Sequence, residues 1–147
     1  MSRRLALFVI VTALATGCGK SITGVDLNGK VKLIEVIGSL DNSEGASTIL
    51  RVRLLLDGQE LSNVPYPEAT SHIGIVGTRT GDRGHHTLVV VVTDQTSSPV
   101  NYRVSGLRVW LVDADLFGGG PTLARADLPD RVELLSSGQG ISYDFNL

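Results

Sequence analysis

Metal-ion chemistry is most nearly approached at Asp113 to Gly120, "DADLFGGG". Asp113, Asp115 and Gly118 occupy the first, third and sixth places of a calcium-binding loop, where two carboxylates and a turn-forming glycine belong. Phe117 stands where a further oxygen ligand is needed, and Ala124 where a bidentate glutamate closes such a loop. Two ligands short, the stretch reads as a Gly-rich connection between strands, with Asp113 and Asp115 an incomplete calcium candidate. The three histidines, His72, His85 and His86, are too few and too poorly placed for zinc. A zinc site needs three or four ligands converging on one point, and neighbours on a strand point to opposite faces. Nucleophilic and phosphate chemistry also lack their signatures. Gly-x-Ser-x-Gly is missing, and "GTRTGDRG" (Gly77 to Gly84) has neither the lysine nor the spacing of a phosphate loop. No catalytic residue, metal or cofactor is expected.

Two aromatic side chains are better placed for contact than for catalysis. In "RVWLVD", Trp110 shares one face of a strand with Arg108 and Val112, opposite Val109 and Leu111. If Leu111 faces the core, Trp110 faces outward, as exposed aromatics do on carbohydrate- and protein-binding sandwiches. Tyr102, earlier on the same strand, is the second candidate contact. The competing reading packs Trp110 under a loop or under the C-terminal segment.

One cysteine, Cys18, stands at the end of a distinctive N-terminal run. Arg3 and Arg4 precede the uncharged stretch Leu5 to Ala15, after which Thr16 and Gly17 lead into Cys18. A basic start, a short apolar run and small residues at a cleavage point compose a secretory signal. The apolar run is well short of the ~20 residues of a permanent membrane span. The junction Leu14-Ala15-Thr16-Gly17-Cys18 resembles the lipobox of bacterial lipoproteins. That resemblance implies a helical signal peptide over residues 1–17, cleavage before Cys18, and a lipid on the Cys18 thiol. It places the protein in the bacterial cell envelope, in the outer membrane facing the periplasm or the exterior, held to the membrane through that lipid. A lone thiol in an exported chain is otherwise odd, because oxidising compartments favour paired cysteines.

Cleavage removes 17 of the 147 residues and leaves 130, enough for one domain with its own core and no disulfide. Removing Arg3 and Arg4 from the 13 basic side chains leaves 11 against 15 acidic ones, a formal charge near −4. Nucleic acid is excluded as a partner, since its recognition rests on a basic footprint. Residues 18–30 read as the lipidated cysteine and a polar tether, and residues 31–147 as the folded domain. A dozen tether residues reach at most ~40 Å.

Within 31–147 the apolar pattern has period two, the mark of strands with one buried face. "STILRVRLLLDG" places Leu50, Val52, Leu54 and Leu56 on one face and Arg51 and Arg53 on the other, with Asp57-Gly58 as a turn. "HTLVVVVTD" places Leu88, Val90 and Val92 on one face and Val89 and Val91 on the other, a central strand covered on both sides. "ISYDFNL" alternates Ile141, Tyr143, Phe145 and Leu147 with polar residues and ties the terminus into a sheet. Further strands are expected at Val31 to Leu40, Ser71 to Arg79, Asn101 to Asp113 and Arg131 to Leu135. Gly106 suggests a bulge, Ser136 to Gly140 a hairpin loop, and "NVPYP" (Asn63 to Pro67) a turn-rich edge. The expected fold is all-β, an antiparallel sandwich of roughly seven to nine strands.

Asp57-Gly58, then Gly84-His85-His86-Thr87-Leu88, then Thr93-Asp94 together resemble bacterial immunoglobulin-like modules, which serve exported proteins as spacers and binding domains. The resemblance covers residues 48 to 112 and implies a structural role for His86. It implies a non-enzymatic interaction or structural module, with another envelope protein or a cell-wall glycan as partner. Two further readings are carried: a glycan- or peptidoglycan-binding module using Trp110 and Tyr102, and a small envelope enzyme with an unrecognised site.

Overall fold

Every period-two segment of the domain forms a strand. The computed structural model of the protein describes residues 30–115 and 119–147; the signal segment, Cys18, most of the tether, Phe117 and Gly118 lie outside the described residues. Nine strands are present among the described residues: β1 (Val31–Asn42), β2 (Ile49–Leu56), β3 (Gln59–Thr70), β4 (His72–Thr80), β5 (His85–Asp94), β6 (Val100–Ala114), β7 (Thr122–Asp127), β8 (Arg131–Leu135) and β9 (Gly140–Asn146). They form two sheets. One has the order β4-β1-β6-β7, with β8 also paired to β6; the other has the order β3-β2-β5-β9. All pairings are antiparallel. The inward rows of the two sheets form one core. Ile34, Val36, Leu40, Ile75, Val104, Val109 and Leu111 come from the first sheet; Val52, Leu54, Leu56, Leu88, Val90, Ile141 and Phe145 come from the second. The fold is an antiparallel β-sandwich, as the alternation predicts.

β1 and β6 are neighbours in the first sheet, and β2 and β5 in the second, so one pair nests inside the other along the chain. The constant-type immunoglobulin arrangement keeps its first two strands side by side in one sheet. Here β1 and β2 lie in different sheets.

β6 is long, with 15 residues, and it changes course at Gly106. Ile37 pairs with Arg108 and Ser39 with Ser105, so Gly38 stands opposite both Gly106 and Leu107. Gly106 has φ +58°, the left-handed geometry of a bulge whose first residue is glycine. A Cβ on Gly38 would lie 2.9 Å from Leu107 Cδ1 and 3.1 Å from its Cα. The bend divides the far edge of β6 between two partners. β7 pairs with Arg108 to Val112, and β8 with Val100 to Val104.

Four expectations are corrected by the architecture. "NVPYP" is no turn; it lies inside β3, which is an edge strand. Proline lacks a backbone donor and is tolerated at such an edge. β7 answers to no expected strand, because "TLARAD" is short and only weakly alternating. The segment from Ser136 to Gly140 does not close a hairpin: β8 belongs to one sheet and β9 to the other, so the chain crosses between layers there. The inward row of β2 begins with Ile49 (0% exposed) rather than Leu50, which is half-buried. Leu50 sits at a bulge that shifts the alternation by one residue.

β5 is interior to its sheet, with Val91 buried and Val89 half-buried on its outer face. β9 forms the edge of that sheet beside β5 and buries Ile141, Tyr143 and Phe145 while exposing Ser142, Asp144 and Asn146. Phe145→Ala is therefore expected to cost ~3–5 kcal/mol, and Asn146→Ala to be nearly silent. Urea midpoints of the two variants measure the difference.

Candidate functional site

Two short connections set the geometry of both ends of the sandwich. At one end, Asp57 and Gly58 have φ of 52° and 75°, the pair of positive angles that a two-residue type I′ hairpin requires. The Asp57 carboxylate, held at this turn, accepts hydrogen bonds from Thr87 N (2.9 Å) and pairs with His86 Nδ1 (2.9 Å). His86 Nε2 meets the carbonyl of Asp82 at 3.0 Å, and its ring packs at 5.7 Å from Phe145. His86 thus fastens the β2–β3 turn and the β4–β5 connection to the start of β5. His85, beside it, is exposed, and His72 is hydrogen-bonded to Asp41 on the other sheet.

The opposite end is held by a buried polar chain. Asn42 Nδ2 donates to Thr48 Oγ1 (2.9 Å), the Thr48 hydroxyl stands 3.0 Å from Tyr102 OH, and Tyr102 OH donates to Asp94 Oδ2 (2.9 Å). Asp94 Oδ1 takes Thr96 N and Oγ1, both at 3.0 Å. Burial, reinforced by the Asp94 carboxylate against the opposing Thr48 bond, pushes the Tyr102 phenol up to about 12. Tyr102 is 0% exposed. It therefore offers no surface to a ligand, and the expectation of a contact residue is corrected: alternation along β6 turns it inward, and Asp94 supplies the partner its hydroxyl needs.

Trp110 lies on the outward face of β6. It pairs with Glu35 on β1 and Arg125 on β7 and is half-buried. The Arg125 guanidinium lies 6.0 Å from the ring centroid, at the outer limit of a cation–π contact, and is held there by Asp127 at 2.6 Å. The C-terminal segment thus covers part of the ring, and Trp110 and Tyr102 occupy opposite faces of β6. Asp113 pairs with Lys30 at 3.3 Å, and Asp115 Oδ1 accepts Gly119 N at 3.2 Å. Among the described residues no three His, Cys, Asp or Glu side chains converge on one point.

A more developed site lies on the outer face of the other sheet. From the Asp57-Gly58 turn, β2 and β3 pair as far as Arg51 with Pro65, and the next pair is Ile49 with Thr70. One residue of β2, Leu50, thus faces four of β3, Tyr66 to Ala69. On its other side β2 steps from Arg51↔Thr93 to Ile49↔Asp94, again leaving Leu50 over. The two ladders break at the same place, and β3 bows away. The result is an open groove of about 490 Å³ lined by Leu50, Arg51, Arg53, Asn63, Pro65, Tyr66 and Thr93. This lies within the ~300–1,000 Å³ typical of ligand sites.

Its lining holds two arginines and no acid, while Glu60 and Glu68 stand nearby on β3. Arg79, Arg83, Arg108, Arg125 and Arg131 each have a protein acceptor or counter-ion. Arg51, Arg53 and Arg103 have none among the described residues, and of these Arg51 and Arg53 line the groove. They share one face of β2, with their Cα atoms ~7 Å apart along the strand. Tyr66 is half-buried, and burial raises its phenol above the ordinary value. Arg51 and Arg53 were legible as the polar face of a strand. The bulge and bowing that gather them with Tyr66 into a groove carry no sequence signature of their own.

Comparison of the chain with protein-family models, curated proteins and solved structures gave no match.

Two substitutions test the clips. Tyr102→Phe leaves Asp94 one donor short and should cost about 1–3 kcal/mol in urea unfolding. For Asp57, burial raises the carboxyl, but the His86 and Thr87 hydrogen bonds and the charges of His86 and Arg79 outweigh it and hold it below 3.8. A depressed carboxyl stabilises the fold above its unfolded value, and the contribution disappears as pH falls through the folded one. Asn tolerates the positive φ and can still accept the Thr87 bond. The stability difference between wild type and Asp57→Asn should therefore be full at pH 7 and vanish as pH drops below 3.8. Urea titrations across that range measure it.

Proposed function

We propose that the protein is an exported lipoprotein whose β-sandwich serves as a non-enzymatic binding module at the bacterial cell envelope. Residues 1–17 direct export, Cys18 becomes the acylated N-terminus, residues 18–30 tether, and residues 31–147 are displayed from the outer membrane. The observation that carries this reading is the position of the sole cysteine. It follows a basic start and an apolar run, sits at a Gly17-Cys18 junction, and precedes in sequence the strands of the sandwich, which hold no cysteine. Two or more acyl chains anchor stably where one does not.

The immunoglobulin-like character of the module is part of the proposal. It draws support from the Asp57-Gly58 turn and from His86, whose ring nitrogens and packing agree with the structural role expected of it. The nested order of β1–β6 about β2–β5 departs from the constant-type arrangement. A second reading, a glycan-binding module, is favoured by the groove at Arg51, Arg53 and Tyr66 rather than by Trp110.

The test is expression of the full chain in a bacterium that processes lipoproteins. Wild type should fractionate with the membrane, and mass spectrometry should find a lipid-modified Cys18 at its N-terminus. Cys18→Ser should appear in the soluble fraction or as the uncleaved precursor. An unmodified Cys18, or a different N-terminus, overturns the reading.

A further inference from the structure

We propose that the groove between β2 and β3 binds a carboxylate-bearing saccharide, with Arg51 and Arg53 gripping the acid groups and Tyr66 and Pro65 meeting the sugar. This deepens the glycan-binding reading and does not depend on lipid anchoring.

Arg51 and Arg53 bring unmatched donors to the groove. Each guanidinium presents five N–H donors in a planar fork that fits a carboxylate bidentately. Arg51 and Arg53 lie side by side on the outer face of β2, and neither donates to the protein among the described residues. Two like charges on residues whose Cα atoms lie ~7 Å apart along the strand, neither with a counter-ion among the described residues, repel each other, and an anion bound between them relieves that repulsion. Arg53 is half-buried, so an acid group beside it is shielded from water more than at an open surface, which strengthens the attraction.

The remaining lining selects the class of anion. Pro65 and the half-buried Tyr66, which also packs against the core, give an apolar wall suited to the C–H face of a pyranose ring. Asn63 gives its Nδ2 to Glu60 at 3.3 Å, leaving Oδ1 for a hydroxyl donor, and Thr93 supplies a hydroxyl on the opposite side. Glu60 also ends the cationic stretch on that side, so the acid group of the ligand belongs at the Arg51–Arg53 face. An acidic peptide fits less well. Peptides join a sheet by pairing with an edge strand, and on β3 Pro65 and Pro67 lack the donors such pairing uses. A nucleic acid needs a longer cationic track than two arginines on a chain of net negative charge.

The groove is built where both ladders of β2 slip at Leu50. Bulges concentrate where a side chain must be re-aimed beside a site. Here the slip places Arg51 next to the bowed segment that carries Tyr66.

The test uses the full chain, purified from whichever fraction holds it, so that failure of anchoring and failure of binding are separate results. Calorimetric titration with oligogalacturonate is the probe, against its neutral methyl ester, inorganic phosphate and polyglutamate. Oligogalacturonate should bind, and more weakly as salt rises. The methyl ester should lose about tenfold to a hundredfold, the worth of a charge-assisted hydrogen bond. Arg51→Gln/Arg53→Gln should lose as much without shifting the urea midpoint, and Arg51→Lys/Arg53→Lys, which keeps the charge, should also weaken binding. Arg103→Gln, on the other sheet, should bind as wild type. No binding of oligogalacturonate, equal binding of the methyl ester, or binding indifferent to the Arg51/Arg53 double variants overturns the proposal. Polyglutamate or phosphate binding as tightly as oligogalacturonate also overturns it, since the site would then read charge alone.

Discussion

The close approach of β1 and β6 at Gly38 is the constraint on which the first sheet depends. Leu107 crowds the space where a side chain would begin, and Gly106 takes the left-handed conformation that puts two residues opposite one. Without that bend, β6 would run on as a single straight edge. With it, the strand presents two segments, and the chain uses both, placing β7 on one and β8 on the other. The packing of Arg125 against Trp110 follows from where β7 is allowed to sit.

Polar groups do for the ends of the sandwich what the aliphatic core does for its middle. The Asn42–Thr48–Tyr102–Asp94 chain joins β1 and β6 of one sheet to β5 of the other, and every member is engaged. Buried polar chains are stabilising when fully satisfied and costly otherwise. At the other end, closer to solvent, the Asp57–His86 pair ties the β2–β3 turn to β5 within one sheet, and His86 Nε2 reaches the Asp82 carbonyl in the connection from β4. In a domain without a disulfide, the Tyr102–Asp94 bond across the layers limits how far the sheets can slide over one another.

Much of the architecture was legible because period two is a strong signal wherever one face is buried. β5 and β9 were readable residue by residue, as was β2 from Val52 on, and Asp57-Gly58 and Gly106 announced their geometry through the angles glycine and aspartate permit. What escaped has physical reasons. β3 was hidden by Pro65 and Pro67, which discourage strands everywhere except at an edge, and position at an edge is a property of the whole sheet. β7 was hidden by its alanines, whose burial comes from its neighbours. Tyr102 looked like a contact residue because its face depends on register, and its hydrogen-bond partner Asp94 lies on another strand. The groove was invisible for the deepest reason. Arg51, Arg53 and Tyr66 become neighbours only through a slip in two ladders at once.

The order of pairing has a consequence for when the domain can come into being. β1 must find β6, with β2 to β5 lying between them in the chain, and β5 pairs with β9 at the C-terminus. Partners so distant in sequence make for slow folding, because long loops must close before any contact compensates their entropy. Until Gly140–Asn146 has been synthesised, one side of β5 is bare and Tyr143 and Phe145 are missing from the core. A growing chain thus has no complete sandwich to settle into before β9 emerges. Delay of this kind keeps a polypeptide threadable, which suits one proposed to pass through a membrane before it folds.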